Sequence, residues 1–353
     1  MKFLLFIFIT LATFVTAVER IEVGSFKSRA LLRGSTQEST KVILLLTGSG
    51  PQGPEEIVPG SHSNDFKSYS FMNPLAKIFH QEGFHSLQLG KPGIDFFDGQ
   101  LKYYHKEIYE KLTWADRVQN AQEAVDYIVR ELKVKSQNIY VLGHSQGARV
   151  ATDLAQKNNF GGLILLGFTG EDFESILRWQ IFQREVDFFI KTDLDQNSDG
   201  WITREEAALY SGVIIRFEAT QSKIHISKLE KELLKSPQKI KLFERYLKSS
   251  WCDDGHCSEG PKYKNIAQFV DEDIYIYNGA LDLQTPASHA LKMKKVCLEH
   301  KKENCFVKVL AGLQHCFNLP RGPRRHPLLD ISLGPVENSF YEEMTDLAKK
   351  LIN

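Results

Sequence analysis

Residues 138–149, NIYVLGHSQGAR, constrain this chain more than any other stretch. Four apolar residues, Ile139, Tyr140, Val141 and Leu142, lead through Gly143-His144-Ser145-Gln146-Gly147 into a run of helical character over 148–156. The pattern is strand, tight turn, helix, with Ser145 at the apex. So sharp a turn needs small residues around the serine, and Gly143 and Gly147 supply them. It lifts the hydroxyl above a sheet and aims the backbone N–H of Gln146 at whatever the serine attacks. Gly-x-Ser-x-Gly alone is a weak signal, since a Gly/Ser-rich surface turn reads the same. The apolar strand before it and the amphipathic helix after it give it weight.

The chain around this stretch alternates in the same way. Residues 41–47 (KVILLLT) and 162–168 are continuous apolar runs, as expected of strands buried on both faces, and 84–89 forms another strand. Helices are expected over 71–80 and over 113–132, where Ala121, Ala124, Val125, Ile128 and Val129 share a face. The alternation breaks at Gly170. From Glu171 to about Tyr263 the pattern is helical, charged and without strands. It resumes with a strand at 273–277, a helix at 287–300, a strand at 305–310 and a last helix at 337–352. The expected fold class is α/β, a doubly wound, mostly parallel sheet. Its core spans 18–170 and 264–353, interrupted by a helical cap insertion over 171–263.

The turn at Ser145 resembles the nucleophile elbow of the α/β-hydrolase family. A serine hydroxyl needs a base within hydrogen-bond reach, and the base needs an orienting partner. In open α/β sheets such groups sit at the carboxyl ends of strands. The first strand after the insertion ends IYIYNGALDLQTP and places Asp282 in a loop. The second ends VKVLAGLQHCFN and places His315 in the next loop. Both tails resemble the family's, with an acid after a Gly and before Thr-Pro, and a histidine after a Gly-containing turn. The order Ser145, Asp282, His315 is also the family's. The resemblance therefore implies Asp282 as the acid and His315 as the base.

Competing readings are weaker. Asp282 could cap the next helix, although Thr285 before Pro286 is the better N-cap candidate. Asp253, Asp254 and Asp271 follow no suitable strand. His289 lies in an expected helix, His326 in a Pro/Arg-rich loop, and His144 faces the wrong way from an apex serine. For the oxyanion, one donor is the Gln146 N–H. The other comes from the TGSGPQG loop, which resembles the family's His-Gly loop with Thr47 where His is common. Ser49 is assigned, with Gly50 as the alternate. The resemblance implies a serine hydrolase that cleaves a small-molecule, lipid or peptide acyl substrate (an ester, thioester or amide) through an acyl-enzyme, with no cofactor for catalysis. The contrary reading is a catalytically silent relative that binds its target in a calcium-dependent way. A missing triad member would favour it, and none is missing.

Inside the insertion, residues 195–206 read DQNSDGWITREE, which matches an EF-hand calcium loop. Asp195, Asn197 and Asp199 fall at positions 1, 3 and 5, and Gly200 makes the turn at 6. Trp201 offers its carbonyl at 7, Thr203 an oxygen or a water at 9, and Glu206 the bidentate carboxylate at 12. One full loop is visible, where sensor proteins pair them. The expectation is a structural Ca2+ that stiffens the cap; the bland alternative is an acidic loop capping a helix.

Residues 1–17 read as a cleaved signal peptide: Lys2, an apolar run over 3–15, and a small-residue site at Val15-Thr16-Ala17. The expected location is therefore secreted, or the lumen of the secretory pathway or periplasm. The five cysteines fit export, with Cys252–Cys257 and Cys297–Cys305 as local disulfide candidates and Cys316 left over. Net charge is zero, so nothing in bulk charge points to nucleic acid. Residues 223–248 carry eight Lys/Arg against three Glu on amphipathic helices. That suits a lid touching an anionic membrane surface, but a solvated cap helix packed on the core is the commoner case.

Overall fold

The computed structural model describes residues 18–34, 40–58, 68–195, 197–208, 220–247, 263–320 and 334–353. Residues 1–17, read as a signal peptide, and Cys252 and Cys257 lie outside the described residues. Eight strands form the main sheet: β1 (Val18–Val23), β2 (Ser28–Arg33), β3 (Val42–Leu46), β4 (His85–Leu89), β5 (Ile139–His144), β6 (Gly162–Leu166), β7 (Ile274–Gly279) and β8 (Cys305–Leu310). Their spatial order is β1-β2-β4-β3-β5-β6-β7-β8. β1 and β2 form an antiparallel hairpin that runs antiparallel to β4, and every later pairing is parallel.

The apolar runs are continuous because both sheet faces are covered. On β3, Val42, Leu44 and Leu46 point to one face, while Ile43 and Leu45 point to the other. The first face receives α2 (Trp114–Glu131), α3 (Gln146–Ala155) and α4 (Ala287–Glu299). The second receives α1 (Met72–Gln81) and the C-terminal α5 (Asn338–Ile352). Each large aliphatic side chain buried here contributes about 1.5–3 kcal/mol. α2 starts with a capping box: Thr113 Oγ1 accepts from Asp116 N (3.1 Å), and Asp116 Oδ2 accepts from Thr113 N (2.9 Å).

Between β6 and β7 the chain leaves the sheet. It runs through Phe173–Arg178, then through the more loosely wound Trp179–Gln183 and Glu185–Leu194, which have i→i+5 hydrogen bonding. The expectation of a strandless insertion needs correcting. Trp201–Thr203 pairs antiparallel with Lys223–His225, Ile202 opposite Ile224. β-Branched and aromatic residues directly after the Gly200 turn favour this short ladder. Ile202 and Ile224 close a small core with Val186, Ile190, Leu194, Ile226 and Leu229. Helices Ile226–Leu234 and Pro237–Leu247 follow, and Phe243 packs on Leu177 and Phe182. The apolar face of these basic helices is thus largely turned into the cap. Cys297 is bonded to Cys305, tying α4 to β8, and Cys316 is buried and makes no disulfide with a described residue. Among the described residues, no helix is long and apolar enough to cross a membrane.

Candidate active site

Ser145 stands between β5 and α3 with φ 52° and ψ −112°. A non-glycine residue in this region holds about 1–3 kcal/mol of strain and persists only where its surroundings enforce it. The enforcement is visible. Ser145 N donates to Leu166 O on β6 at 2.8 Å. A Cβ on Gly143 would lie 2.3 Å from Gly147 O, and one on Gly147 would lie 2.2 Å from Leu46 O. Both glycines are therefore required by backbone contact, as the sequence spacing implied.

Asp282 follows β7 and His315 follows β8. His315 Nδ1 and Asp282 Oδ2 are 2.8 Å apart, both residues buried. The carboxylate also accepts from Gln284 N (2.8 Å), Thr285 N (2.9 Å) and Thr285 Oγ1 (2.8 Å). Burial alone would push the Asp282 pKa up, but His315 and these donors hold it below the ordinary carboxylate value. Thr285 is not the helix cap expected from sequence. Pro286 holds the N-cap position of α4, and Thr285 Oγ1 is engaged with Asp282 and with Gly167 O at 2.9 Å. Gly167, at φ +57°, leaves room for the base, since a Cβ there would come within 2.9 Å of His315 Cε1.

Ser145 and His315 line one cavity of about 200 Å³, together with Gly48, Ser49 and His144. Among the described residues, Ser145 Oγ makes no hydrogen bond, a common state of such pairs before substrate arrives. A larger cavity of about 500 Å³ adjoins Ser145 and is bordered by Gln146, Ser49 and Gly50. Gln146 N is the first amide of α3 and has no intrahelical acceptor. A Cβ on Gly48 would lie 3.5 Å from Ser145 Cβ, so the loop carrying Ser49 and Gly50 runs beside the serine. Both loop residues border the larger cavity, and Ser49 alone of the two also borders the smaller one.

Two buried groups were not expected from sequence. His144, set aside on sequence, borders the smaller cavity with Ser145 and His315 and is not idle. Its Nδ1 is 2.6 Å from Glu56 Oε1 and its Nε2 is 3.2 Å from His315 O, all within the protein interior. With Glu56 ionised, both partners accept, so both ring nitrogens must carry protons. Burial opposes the charge, yet the Glu56 carboxylate outweighs it and holds the His144 pKa well above the ordinary value. The arrangement favours an imidazolium at His144, whose ring packs against that of His315. The second group is Lys91, whose Nζ donates to Gln146 Oε1 at 2.7 Å. Burial, aided by Arg117, lowers the Lys91 pKa well below the usual lysine value. Local sequence offered little for either: Glu56 is one of two adjacent acids in a Pro/Gly loop, and Lys91 reads as solvated.

The residues at 195–206 form a tight loop. Asp195 accepts from Asp199 N (3.0 Å) and Gly200 N (2.9 Å), and Asp199 from Trp201 N (2.8 Å). Asn197 Oδ1 also accepts from Asp199 N, at 2.9 Å. Glu206 Oε2 is turned to Thr203 N at 2.8 Å. Among the described residues, no three His, Cys, Asp or Glu converge as a metal site.

No family model and no curated protein matches this sequence. Solved structures do resemble it. The 2,6-dihydroxy-pseudo-oxynicotine hydrolase superposes with a TM-score of 0.50 at 14% identity, over 96% of this chain and 68% of that one. Est1E from Butyrivibrio proteoclasticus gives 0.49 at 13%, over 96% and 98% of the two chains. A serine hydrolase from Cycloclasticus zankles gives 0.48 at 14%, over 95% and 96%. At such identities the likeness is one of fold.

Proposed function

On an α/β-hydrolase fold, we propose that this chain is a serine hydrolase that cleaves an ester, thioester or amide through an acyl-enzyme on Ser145. The observation that carries the reading is the buried 2.8 Å His315–Asp282 pair opening onto the same cavity as a strained Ser145. Ser145 Oγ attacks the acyl carbonyl carbon while His315 Nε2 takes its proton. Asp282 holds the imidazole in the tautomer that leaves Nε2 free to accept, and offsets the charge that forms. The Gln146 N–H and an N–H of the 49–50 loop, Ser49 first, receive the oxyanion, each contributing about 3 kcal/mol to the transition state. His315 then returns the proton to the leaving group, and water hydrolyses the acyl-enzyme by the same steps in reverse. The 2,6-dihydroxy-pseudo-oxynicotine hydrolase, which shares the fold, belongs to the same broad class. Hydrolysis of p-nitrophenyl esters and anilides of graded chain length tests it. Turnover of at least one substrate, lost in Ser145→Ala, is expected; turnover unchanged in that variant would refute it.

The cap is proposed to bind one structural Ca2+ at 195–206. The donor set supports this: Asp195, Asn197, Asp199 and Glu206 side chains, the Trp201 carbonyl and Thr203. Gly200 at φ +82° and the pairing of Ile202 with Ile224 keep the loop in a turn suited to an ion. Binding requires Glu206 to leave Thr203 N. A rise in melting temperature on adding Ca2+, absent in Glu206→Gln, is expected; no rise would reject the proposal. Export to an oxidising compartment is proposed on the leader peptide and supported by the Cys297–Cys305 bond.

A further inference from the structure

Resting on the hydrolase reading, we propose that the substrate is an acyl ester, thioester or amide carrying an anionic group, a carboxylate or phosphate, recognised by Arg184 of the cap.

The larger cavity beside Ser145 has largely apolar walls, among them Trp114, Ile176, Leu177, Leu242 and Tyr246. Two buried guanidinium groups interrupt them. Arg149 comes from α3, one turn after the nucleophile, and lies over Trp114 with Cζ 5.3 Å from the ring centre. Arg184 comes from the cap and is 2% exposed. An all-apolar acyl chain needs neither cation.

Arg184 is the informative one. Its Nη1 donates to Leu283 O (3.2 Å) and Gln284 Oε1 (3.1 Å), both neutral acceptors on the loop of Asp282. Its Nε and Nη2 donate to no described residue, and it makes no ion pair with one. The nearby carboxylates of Glu185 and Asp282 favour the charged guanidinium through space, but their own hydrogen bonds go to Lys239 and to His315, Gln284 and Thr285. Burial pushes the Arg184 pKa down, to about 10, with Glu185 and Asp282 pulling the other way, so the group is still charged at neutral pH. A buried guanidinium edge with no acceptor carries a desolvation cost that an acceptor in the cavity would offset. The planar fork of arginine suits a carboxylate or phosphate oxygen pair. The acceptors missing at Nε and Nη2 are therefore assigned to the substrate, its apolar portion along the cavity wall and its anion at Arg184.

Arg184 also fastens the cap to the acid loop, and the test must separate the two roles. Mono-p-nitrophenyl adipate and p-nitrophenyl hexanoate have equal chain length and differ in one negative charge; mono-p-nitrophenyl suberate and the octanoate extend the comparison, and a terminal phosphate replaces the carboxylate in a third pair. The wild-type enzyme is expected to favour the anionic member of at least one pair by about tenfold or more in kcat/KM, mainly through KM. Arg184→Met should bring that ratio near one, the anionic member losing more than its neutral partner. Arg184→Lys should keep part of the preference. Equal turnover of every pair by the wild type overturns the assignment and leaves the hydrolase reading intact. So does an Arg184→Met that slows both members equally, since that marks a fastening role alone. Should Arg184→Met not fold, the wild-type ratios decide. If no ester turns over and a fluorophosphonate does not label Ser145, the hydrolase reading falls and this inference with it.

Discussion

Replacing Glu56 with Gln tests the buried pair beside His315. In the wild type, Glu56 Oε1 and His315 O face the two ring nitrogens of His144, and its raised pKa favours the imidazolium. A Gln at 56 can donate its amide N–H to Nδ1. His144 then becomes neutral while its Nε2–H still holds His315 O. What is lost is a charge-assisted hydrogen bond in the interior, about 2 kcal/mol. Unfolding entropy near 60 °C is about 2.1 cal/mol/K per residue, or about 0.7 kcal/mol/K for a chain of this length, so the melting temperature should fall by about 3 °C. The pH dependence gives the sharper check. The folded-state pKa of His144 is raised above its unfolded value near 6.5. Its contribution is therefore complete below about pH 6.5 and declines as pH climbs through the raised folded value. Thermal unfolding of both proteins from pH 6 to 10 should show the gap widest at the acid end and closing toward the alkaline end. A gap that stayed constant, or widened with pH, would refute the imidazolium assignment.

Other substitutions probe neighbouring parts. His144→Leu strands the Glu56 carboxylate in the interior and should cost about 3–5 kcal/mol, measured by denaturant unfolding. Asp282→Asn should keep the fold but lower kcat by about 10⁴-fold, because the histidine loses the acceptor that fixes its tautomer. Gly167→Ala puts a methyl within 2.9 Å of His315 Cε1 at a φ of +57°; kcat should drop more than thermal stability does, and unchanged kinetics would contradict the packing. Lys91 has a folded pKa well below the usual lysine value, so the unfolded chain binds more protons between that lowered value and the ordinary one. Wild-type stability relative to Lys91→Met should therefore rise with pH through that window, up to about 10.5.

The sheet was legible because two-faced burial leaves continuous apolar runs, such as 42–46 and 162–166, that no amphipathic helix imitates. Ser145, Asp282 and His315 could be singled out because the family resemblance fixes the strands they follow and their order, and the fold brings Asp282 and His315 into contact. Thr285 was misread for a physical reason: a hydroxyl before Pro286 looks like a cap, but Asp282 and Gly167 O compete for the same group. Glu56 and His144 lie 88 positions apart and meet only once the loop after β3 folds back toward the end of β5. Arg184 and Lys91 were missed because a cation's burial depends on tertiary contacts, and charge alone reads as surface. The Trp201–Thr203 ladder escaped notice because its partner, Lys223–His225, is too short and too basic to show a strand pattern.

The central claim is that Ser145 is the nucleophile, activated by His315 and Asp282. Treating the folded protein with a fluorophosphonate and mapping the adduct by peptide mass spectrometry tests it directly. The account predicts one phosphonyl adduct on Ser145, absent in Ser145→Ala and strongly slowed in His315→Ala. No adduct on the wild type, or an adduct that persists at another residue when Ser145 is replaced, would contradict it.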